Sequence, residues 1–232
     1  MVSAAPARVV PSTAFAGRVA LVARPEPGVT GTSRFAAALL AVLRDSGANV
    51  ELAPLRLGPV LRVAVPMARR AGLDVATFFG QYPLALPKRK VDVYHLATQT
   101  LATVCLRRPD RPVVVTVHDI IPYLLRHDRE LRAYNHVAHR WFDYAAMRGL
   151  AHATMLAADS EWTRQTLIRE LGIAEERVRV VPLGIDATLF RPAQPDEEFW
   201  RRHGLEPDRP FVLYVGSCLL YTSDAADDLT RV

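Results

Sequence analysis

The sequence predicts an α/β protein with a doubly wound parallel sheet, in which helices cover both faces of the sheet. Apolar segments of strand length alternate along the chain with segments of helical periodicity. The clearest strand, residues 112–117, contains three consecutive valines, as buried parallel strands commonly do. Half of the 232 residues are hydrophobic and 23% are charged, so the chain can bury a core and is not generally disordered.

The predicted strands are short, and most are followed by a turn and then a helix. The first strand, 18–24, meets a turn that contains Pro25, Pro27 and Gly28. Further strands are predicted at 49–52, 91–96, 112–117, 153–157 and 177–181. Because ligands of such sheets bind beyond the carboxyl ends of the strands, four turns are candidate binding segments: 25–33, 94–98, 118–123 and 182–186.

The helices are predicted from amphipathic periodicity and from capping residues. The first spans residues 34–46 and ends at Gly47, a residue type that favours the C-terminal cap. Another ends at Leu171, with Ser160 as its N-terminal cap and Gly172 as its closing glycine. Further helices are predicted at 60–71 with a kink at Pro66, at 129–149 and at 199–203.

Changes in composition predict the domain boundaries. Residues 1–192 form the first domain, and residues 193–210 are a polar, proline-containing linker. Residues 211–217 are predicted to be the first strand of a second domain, and we expect the natural protein to continue beyond them. Residues 218–232 instead resemble a translated sequencing-library adapter, so they are excluded from the fold.

The turn after the first strand is a candidate phosphate-binding segment. Gly28 and Gly31 permit backbone angles that let main-chain amides approach a ligand closely. Thr32 and Ser33 then open a helix, whose free amides and positive dipole end favour an anion. The turn matches neither the G-x-G-x-x-G pattern nor the Walker pattern, so a permissive strand-to-helix turn is the alternative.

His118 and Asp119 follow the most apolar strand and are the strongest candidates for catalysis. A histidine can donate to a substrate hydroxyl or accept from one, and it changes charge near neutral pH. Asp119 either orients His118 or caps local backbone amides. Tyr123, at the end of the same turn, is a candidate substrate-binding residue.

Four other residues at predicted strand ends are candidates for substrate binding. His95 either lines the cleft or packs in the core. Ser160 is foremost an N-cap, although its helix N-terminus is also expected to face the cleft. Gly184 and Asp186 follow the last strand of the first domain, where Asp186 either faces the cleft or stabilises the turn.

The histidines and cysteines do not form a metal-binding pattern. His136 and His139 share a helix face and His127 precedes them, but no acidic ligand stands at a diagnostic spacing. We therefore expect no metal site. Cys105 is expected to be a core thiol, because no catalytic Cys-His motif accompanies it.

Basic residues are concentrated in three segments: Arg69 and Arg70, residues 88–90, and Arg107 and Arg108 with Arg111. Their candidate partners are anionic lipid or a phosphorylated substrate, and a solvated basic surface is the alternative. No nucleic-acid motif accompanies them, so nucleic acid is not an expected partner. The sequence also has no apolar run of about 18 residues and no signal-peptide core, so we expect a cytoplasmic protein, free or peripheral at the inner membrane face.

Four segments, taken in order, resemble the N-terminal half of glycosyltransferase family 4, whose members are retaining enzymes with the GT-B fold. The segments are 115–122 (VTVHDIIP), 158–163 (ADSEWT), 178–186 (VRVVPLGID) with 190–192 (FRP), and 211–217 (FVLYVGS). The resemblance implies two Rossmann-like domains that face each other across a cleft, the first for the acceptor and the second for an activated sugar. By position, His118 matches the family histidine near the reacting sugar, Gly184 and Asp186 match the turn at the cleft edge, and residues 28–33 would approach the donor phosphates or the acceptor.

The resemblance also implies the reaction. The full-length enzyme would transfer a hexose, with mannose favoured by analogy, from a nucleotide diphosphate sugar to a glycan, lipid or small-molecule acceptor. The anomeric configuration would be retained, and neither a cofactor nor an active-site metal is implied. Because the donor-binding residues are missing, the chain alone is expected to be inactive. Two alternatives remain: a non-catalytic Rossmann-like binding module, and a GT-B epimerase or phosphorylase.

Overall fold

The computed structural model describes residues 16–24, 31–53, 55, 65–66, 70, 75–128, 137–185, 187, 190–191, 196–206, 209–210 and 212. The strands within these residues are β1 Arg18–Val22, β2 Asn49–Leu52, β3 Val93–Leu96, β4 Val113–Val117, β5 Met155–Ala158 and β6 Val178–Val180. They form a six-stranded sheet in the order β2-β1-β3-β4-β5-β6, and every neighbouring pair is parallel. The predicted parallel α/β fold is therefore confirmed.

Helices lie on both faces of this sheet. They are α1 Gly31–Asp45, α2 Val75–Gln81, α3 Ile121–Leu124, α4 Val137–Leu150, α5 Glu161–Leu171 and α6 Glu197–Arg202, with 3₁₀ helices at Gln99–Arg107, Leu125–His127 and Glu175–Arg177. In β1, Leu21 packs in a cluster with Ala36 of α1, whereas Ala20 and Val22 belong to a larger cluster with residues of α4 and α5. Because successive strand residues point to opposite faces, the sheet is doubly wound, as predicted.

Local capping chemistry sets the ends of α5. The side chain of Ser160 accepts a hydrogen bond from the backbone N–H of Thr163 at 3.1 Å. Gly172 closes the helix with a φ of +63°, a left-handed conformation that favours glycine. Both predicted caps are therefore confirmed.

The 3₁₀ helix Gln99–Arg107 is the main element that the sequence did not predict. Its residues from Thr100 to Cys105 are buried against α4. A Cβ on Gly149 of α4 would lie only 1.9 Å from the carbonyl oxygen of Ala102. The two backbones can therefore pack this closely only because Gly149 has no side chain. This contact fixes how closely α4 lies against the 3₁₀ helix.

The sequence also did not predict the short helices α2 and α3, and the remaining differences concern boundaries. α1 begins at Gly31 rather than at residue 34, and the described part of α4 begins at Val137 and ends at Leu150. Most of the predicted helix at 60–71, the predicted strand at 211–217 except for Val212, and residues 218–232 lie outside the described residues. In the described part of the chain, no helix is long and apolar enough to cross a bilayer.

Candidate functional site

The strand order reverses between β1 and β3, which makes this point the expected ligand site of the sheet. The chain passes from β1 to β2 on one side of β1, and then crosses to β3 on the other side of β1. A small crevice opens beyond the carboxyl ends of β1 and β3, and it is lined by Ala23, Arg24, Thr32, Ser33, Ala97 and Thr98. The structure thus places Thr32 and Ser33 where the sequence predicted a binding turn. Gly28 lies outside the described residues.

Gly31 does not have the special role that its residue type suggested. It is the first residue of α1, and it is not among the described glycines with positive φ. A Cβ added there would meet no atom within 4 Å. The N-terminus of α1 therefore faces the crevice without requiring glycine at this position.

Arg24 is a residue of this crevice that the sequence reasoning missed. It lies two residues after the end of β1, and its Nη2 donates a hydrogen bond to the Thr100 hydroxyl at 2.9 Å. A guanidinium beside a helix N-terminus creates a positive environment suited to an anion. The signal was available, because a cation at the carboxyl end of the first strand stands at the expected ligand edge.

The ring of His118 is held on three sides just beyond β4. Its Nε2 donates to the carbonyl oxygen of Ala97 at 3.2 Å, and its Nδ1 lies 3.5 Å from a carboxylate oxygen of Asp159. Phe35 of α1 packs edge-on against the ring, with centroids 4.8 Å apart. The side chain remains 16% exposed, so the ring is reachable from the carboxyl edge of the sheet.

Asp159, rather than Asp119, is the carboxylate that faces His118. The side chain of Asp119 instead accepts a hydrogen bond from the backbone N–H of Ile121 at 3.0 Å, at the start of α3. The structure therefore selects the capping alternative for Asp119. Asp159 follows β5 as His118 follows β4, and these neighbouring strands bring the two side chains together. Because Nε2 donates its proton to a carbonyl, Nδ1 can donate to Asp159 only when the ring carries a second proton.

Thr163 links the ends of β4 and β5 to α5. Its hydroxyl lies 3.2 Å from the carbonyl oxygen of His118, 3.2 Å from a carboxylate oxygen of Asp159 and 2.9 Å from the hydroxyl of Ser160. Thr163 is buried, so these contacts are shielded from water. We call His118, Asp159, Ser160 and Thr163 the His118 cluster.

His95 lies within the sheet rather than at its rim. It occupies β3 between Leu21 and Val114 in register, and its Nε2 is 2.9 Å from the hydroxyl of Thr116. Burial lowers the pKa of His95 from 6.5 to about 4, so the ring is neutral at pH 7. This environment favours the packing alternative for His95.

Two further candidates are separate from the His118 cluster. Tyr123 stacks on Tyr144 of α4 with centroids 6.4 Å apart, and the guanidinium of Arg126 lies 3.9 Å over its ring. Gly184 is exposed after β6, where the sequence predicted the cleft edge. Asp186 lies outside the described residues.

Possible metal ligands do not converge in the part of the chain that the structure describes. There, no group of three or more His, Cys, Asp or Glu side chains is arranged to hold an ion. The ring of His139 packs edge-on against Phe78 with centroids 4.9 Å apart, whereas His136 lies outside the described residues. Cys105 is a core thiol as expected, and burial raises its pKa to about 12.

The basic segments 88–90 and 107–111 precede β3 and β4, so they lie at the amino edge of the sheet, opposite the crevice. Arg89 is 3.7 Å from Glu51. Arg108, Arg111 and Arg177 line a cavity of about 390 Å³ at this edge. These cations are therefore separate from the candidate site.

The sequence profile of Glycosyltransferase Family 4 matches residues 29–189. The chain belongs to glycosyltransferase family 4. Among solved structures, this family 4 chain is similar to Anabaena Alr3699/HepE in complex with UDP-glucose, with 16% identity, a TM-score of 0.45, and coverage of 81% of this chain and 50% of that chain. It is also similar to a glycosyltransferase from Rickettsia africae ESF-5, with 10% identity, a TM-score of 0.35, and coverage of 84% and 51% respectively.

Family membership rests on the profile match rather than on these structural similarities. No curated protein sequence matches the family 4 chain at a significant level. The chain spans about half the length of the solved structures that it matches.

Proposed function

We propose that the complete protein is a retaining glycosyltransferase that moves a hexose, with mannose favoured, from a nucleotide diphosphate sugar to a hydroxyl of a glycan, lipid or small molecule. The observation that carries this proposal is the family 4 match over residues 29–189. In the reaction, the acceptor oxygen bonds to the anomeric carbon as the bond from that carbon to the diphosphate breaks. The acceptor proton leaves with the diphosphate. Neither a cofactor nor a metal takes part in the proposed reaction.

The crevice between β1 and β3 supports binding of a phosphate or another anionic group. Arg24 supplies a positive charge, and Thr32 and Ser33 stand at the N-terminus of α1. Hydrogen bonds between a cation and a phosphate are about twice as strong as neutral ones. We propose that Arg24 and the N-terminus of α1 face a phosphate-bearing part of the donor or acceptor at this edge of the sheet.

The His118 cluster supports contact with a sugar or acceptor hydroxyl. The 3.5 Å contact with Asp159 is longer than a good hydrogen bond, so it is the contact that His118 gives up most easily to a substrate. The shorter contact with Ala97 and the packing of Phe35 hold the rest of the ring in place. We therefore propose that Nδ1 of His118 is the atom that meets the substrate, and that Asp159 orients the ring.

Apolar side chains that follow β6 support a second wall of the cleft. Leu183, Ile185 and Phe190 are 52%, 78% and 63% exposed. Exposed apolar residues beside a binding edge are commonly covered by another domain. We propose that the donor-binding domain of the complete protein lies against this segment.

The test is an activity assay on the uninterrupted reading frame beyond residue 217. A panel of nucleotide diphosphate hexoses is offered with candidate acceptors, and the anomeric configuration of the product is read by NMR. Retention supports the proposal, whereas inversion, epimerisation or phosphorolysis contradicts it. Tight nucleotide-sugar binding without turnover would favour the non-catalytic binding module.

A matched pair of variants tests the crevice. Arg24→Gln should lower kcat/KM of the complete enzyme by about 10²-fold, the usual scale for one positioned donor to a charged group. Arg111→Gln is the control, because Arg111 lies at the opposite edge of the sheet. Equal effects of the two substitutions would remove Arg24 from the site. Residues 1–217 alone should show negligible transfer, because the reaction needs both walls of the cleft.

A further inference from the structure

A cavity at the amino edge of the sheet is lined by cationic side chains. Its volume is about 390 Å³, and its lining includes Arg108, Arg111, His152 and Arg177. These residues precede β4, β5 and β6, which are neighbours in the sheet. Because neighbouring parallel strands begin at the same edge, the segments before them converge there. We call these four residues the amino-edge cluster.

Carboxylates do not neutralise the arginines of this cluster in the part of the chain that the structure describes. Within those residues, none of Arg108, Arg111 and Arg177 forms a salt bridge. A second cavity at the same edge, of about 250 Å³, differs in this respect, because its Arg89 lies 3.7 Å from Glu51 in the same lining. The amino-edge cluster therefore retains an excess of positive charge that a bound anion would balance.

Hydrogen bonds within the chain hold the walls of this cavity in place. The hydroxyl of Thr154 accepts a hydrogen bond from the N–H of Val113 at 3.0 Å, and the N–H of Thr154 donates to the carbonyl oxygen of Val113 at 2.8 Å. Nη2 of Arg177 donates to the carbonyl oxygen of Ala153. A guanidinium has five N–H donors, so this contact fixes Arg177 and leaves donors for a ligand. Walls fixed in advance reduce the ordering cost of binding.

Arg108 has a backbone conformation that arginine rarely adopts. It closes the 3₁₀ helix Gln99–Arg107 with a φ of 47° and a ψ of 73°, and its N–H donates to the carbonyl oxygen of Cys105 at 2.9 Å. Among the described residues, it is the only one other than glycine with a positive φ. Glycine would fit this position without strain, yet the chain has an arginine here that lines the cavity. Strained backbone of this kind is concentrated at functional sites, including ligand-binding sites.

We propose that the amino-edge cluster binds a small soluble molecule with a diphosphate group. Guanidinium groups bind phosphate oxygens through paired, charge-assisted hydrogen bonds. One phosphate carries a charge of about −1.5 to −2 at pH 7, so a diphosphate matches three guanidinium charges more closely than a single phosphate does. The five residues of β4, at about 3.3 Å each, separate this cavity from the carboxyl edge. The site is therefore distinct from the crevice beside Arg24, and the proposal does not rest on the transfer reaction.

Calorimetric titration of the 232-residue chain with inorganic diphosphate, at about 0.15 M salt, tests the proposal. Because the crevice beside Arg24 is also proposed to meet phosphate, the same titration is made on Arg24→Gln, which should retain one diphosphate site. In that background, Arg108→Gly should weaken binding at least about tenfold, since it removes one charged donor. It should not lower Tm, because glycine accepts the positive φ of this position.

Arg107→Gln is the matched control for charge. Arg107 is exposed and adjoins Arg108 in the chain, but it does not line the cavity, so its loss should change binding less than about twofold. Inorganic phosphate should bind at least about tenfold more weakly than diphosphate. Absence of saturable diphosphate binding by folded Arg24→Gln, or equal losses from Arg108→Gly and Arg107→Gln, would overturn the proposal. Equal affinities for phosphate and diphosphate would contradict the assigned ligand class.

Discussion

Replacement of His118 by alanine should affect folding as well as catalysis. The sequence alone suggests a cleft-facing ring whose contacts water can replace, and hence a small cost in stability. The structure instead shows Nε2 donating to Ala97 at 3.2 Å, Nδ1 3.5 Å from Asp159, and the ring packed on Phe35. These contacts make His118 part of the packing between β4, β5 and α1.

The expected loss of stability follows from these contacts. A neutral hydrogen bond contributes about 1 kcal/mol and an edge-to-face ring pair about 0.5–1.5 kcal/mol. The Asp159 contact is partly exposed and adds at most a few tenths of a kcal/mol. His118→Ala should therefore lower the free energy of unfolding by about 2–3 kcal/mol, which corresponds to a fall in Tm of about 5–10 °C for a chain of this size.

Two conservative variants separate the nitrogens of His118. Glutamine places its amide nitrogen near the position of Nε2 and can keep the bond to Ala97, whereas asparagine reaches the position of Nδ1 beside Asp159. We expect His118→Gln to retain more stability than His118→Asn. If Nδ1 meets the substrate as proposed, His118→Asn should retain more activity than His118→Gln.

Thermal melting of this chain and single-turnover kinetics of the complete enzyme measure the two effects. His118→Ala should reduce kcat/KM by about 10²-fold or more in correctly folded molecules. Near-normal turnover in a folded His118→Ala enzyme would remove His118 from the site. An unchanged Tm would refute the contribution of the three contacts to packing.

Three further predictions concern the chain alone. Because burial lowers the pKa of His95 to about 4, the unfolded state binds a proton that the folded state does not between about pH 6.5 and pH 4. The stability that depends on neutral His95 is therefore present above pH 6.5 and is lost as the pH falls towards 4. The complete loss amounts to about 3 kcal/mol in the free energy of unfolding. In urea unfolding, His95→Gln should make this free energy depend less steeply on pH. Gly149→Ala should lower the free energy of unfolding by about 3 kcal/mol or more, since its Cβ would lie 1.9 Å from the carbonyl oxygen of Ala102. Gly184→Ala is the control and should lower it by less than about 0.5 kcal/mol, because no atom lies within 4 Å of the added Cβ. Similar melting temperatures for the two variants would contradict the close packing at Gly149. Deletion of residues 218–232 should change the free energy of unfolding by less than about 1 kcal/mol, and a larger loss would make the segment native structure.

Local sequence determined the elements of this protein. The valines of β4 predicted a buried strand, and Ser160 and Gly172 predicted both ends of α5. These features depend on side-chain periodicity and on hydrogen bonds within a few residues, so they can be read without the rest of the fold. The same reasoning placed Thr32, Ser33 and His118 at the carboxyl edge of the sheet, because every parallel strand delivers its following residues to that edge. It missed the 3₁₀ helix Gln99–Arg107, whose shape depends on close packing against Gly149.

The tertiary structure alone decided which of these residues meet. Asp119 adjoins His118 in sequence, yet Asp159, 41 residues away, faces its ring, because β4 and β5 pair side by side. The pairing of β1 with β3 likewise put Arg24 beside Ala97 and Thr98, at the point where the strand order reverses. The ring of His95 is half-buried beside Thr116 of β4 and neutral at pH 7 only because the pairing of β3 with its neighbours removes it from water. Strand order and burial arise from contacts between distant segments, and no local pattern of residue types contains them.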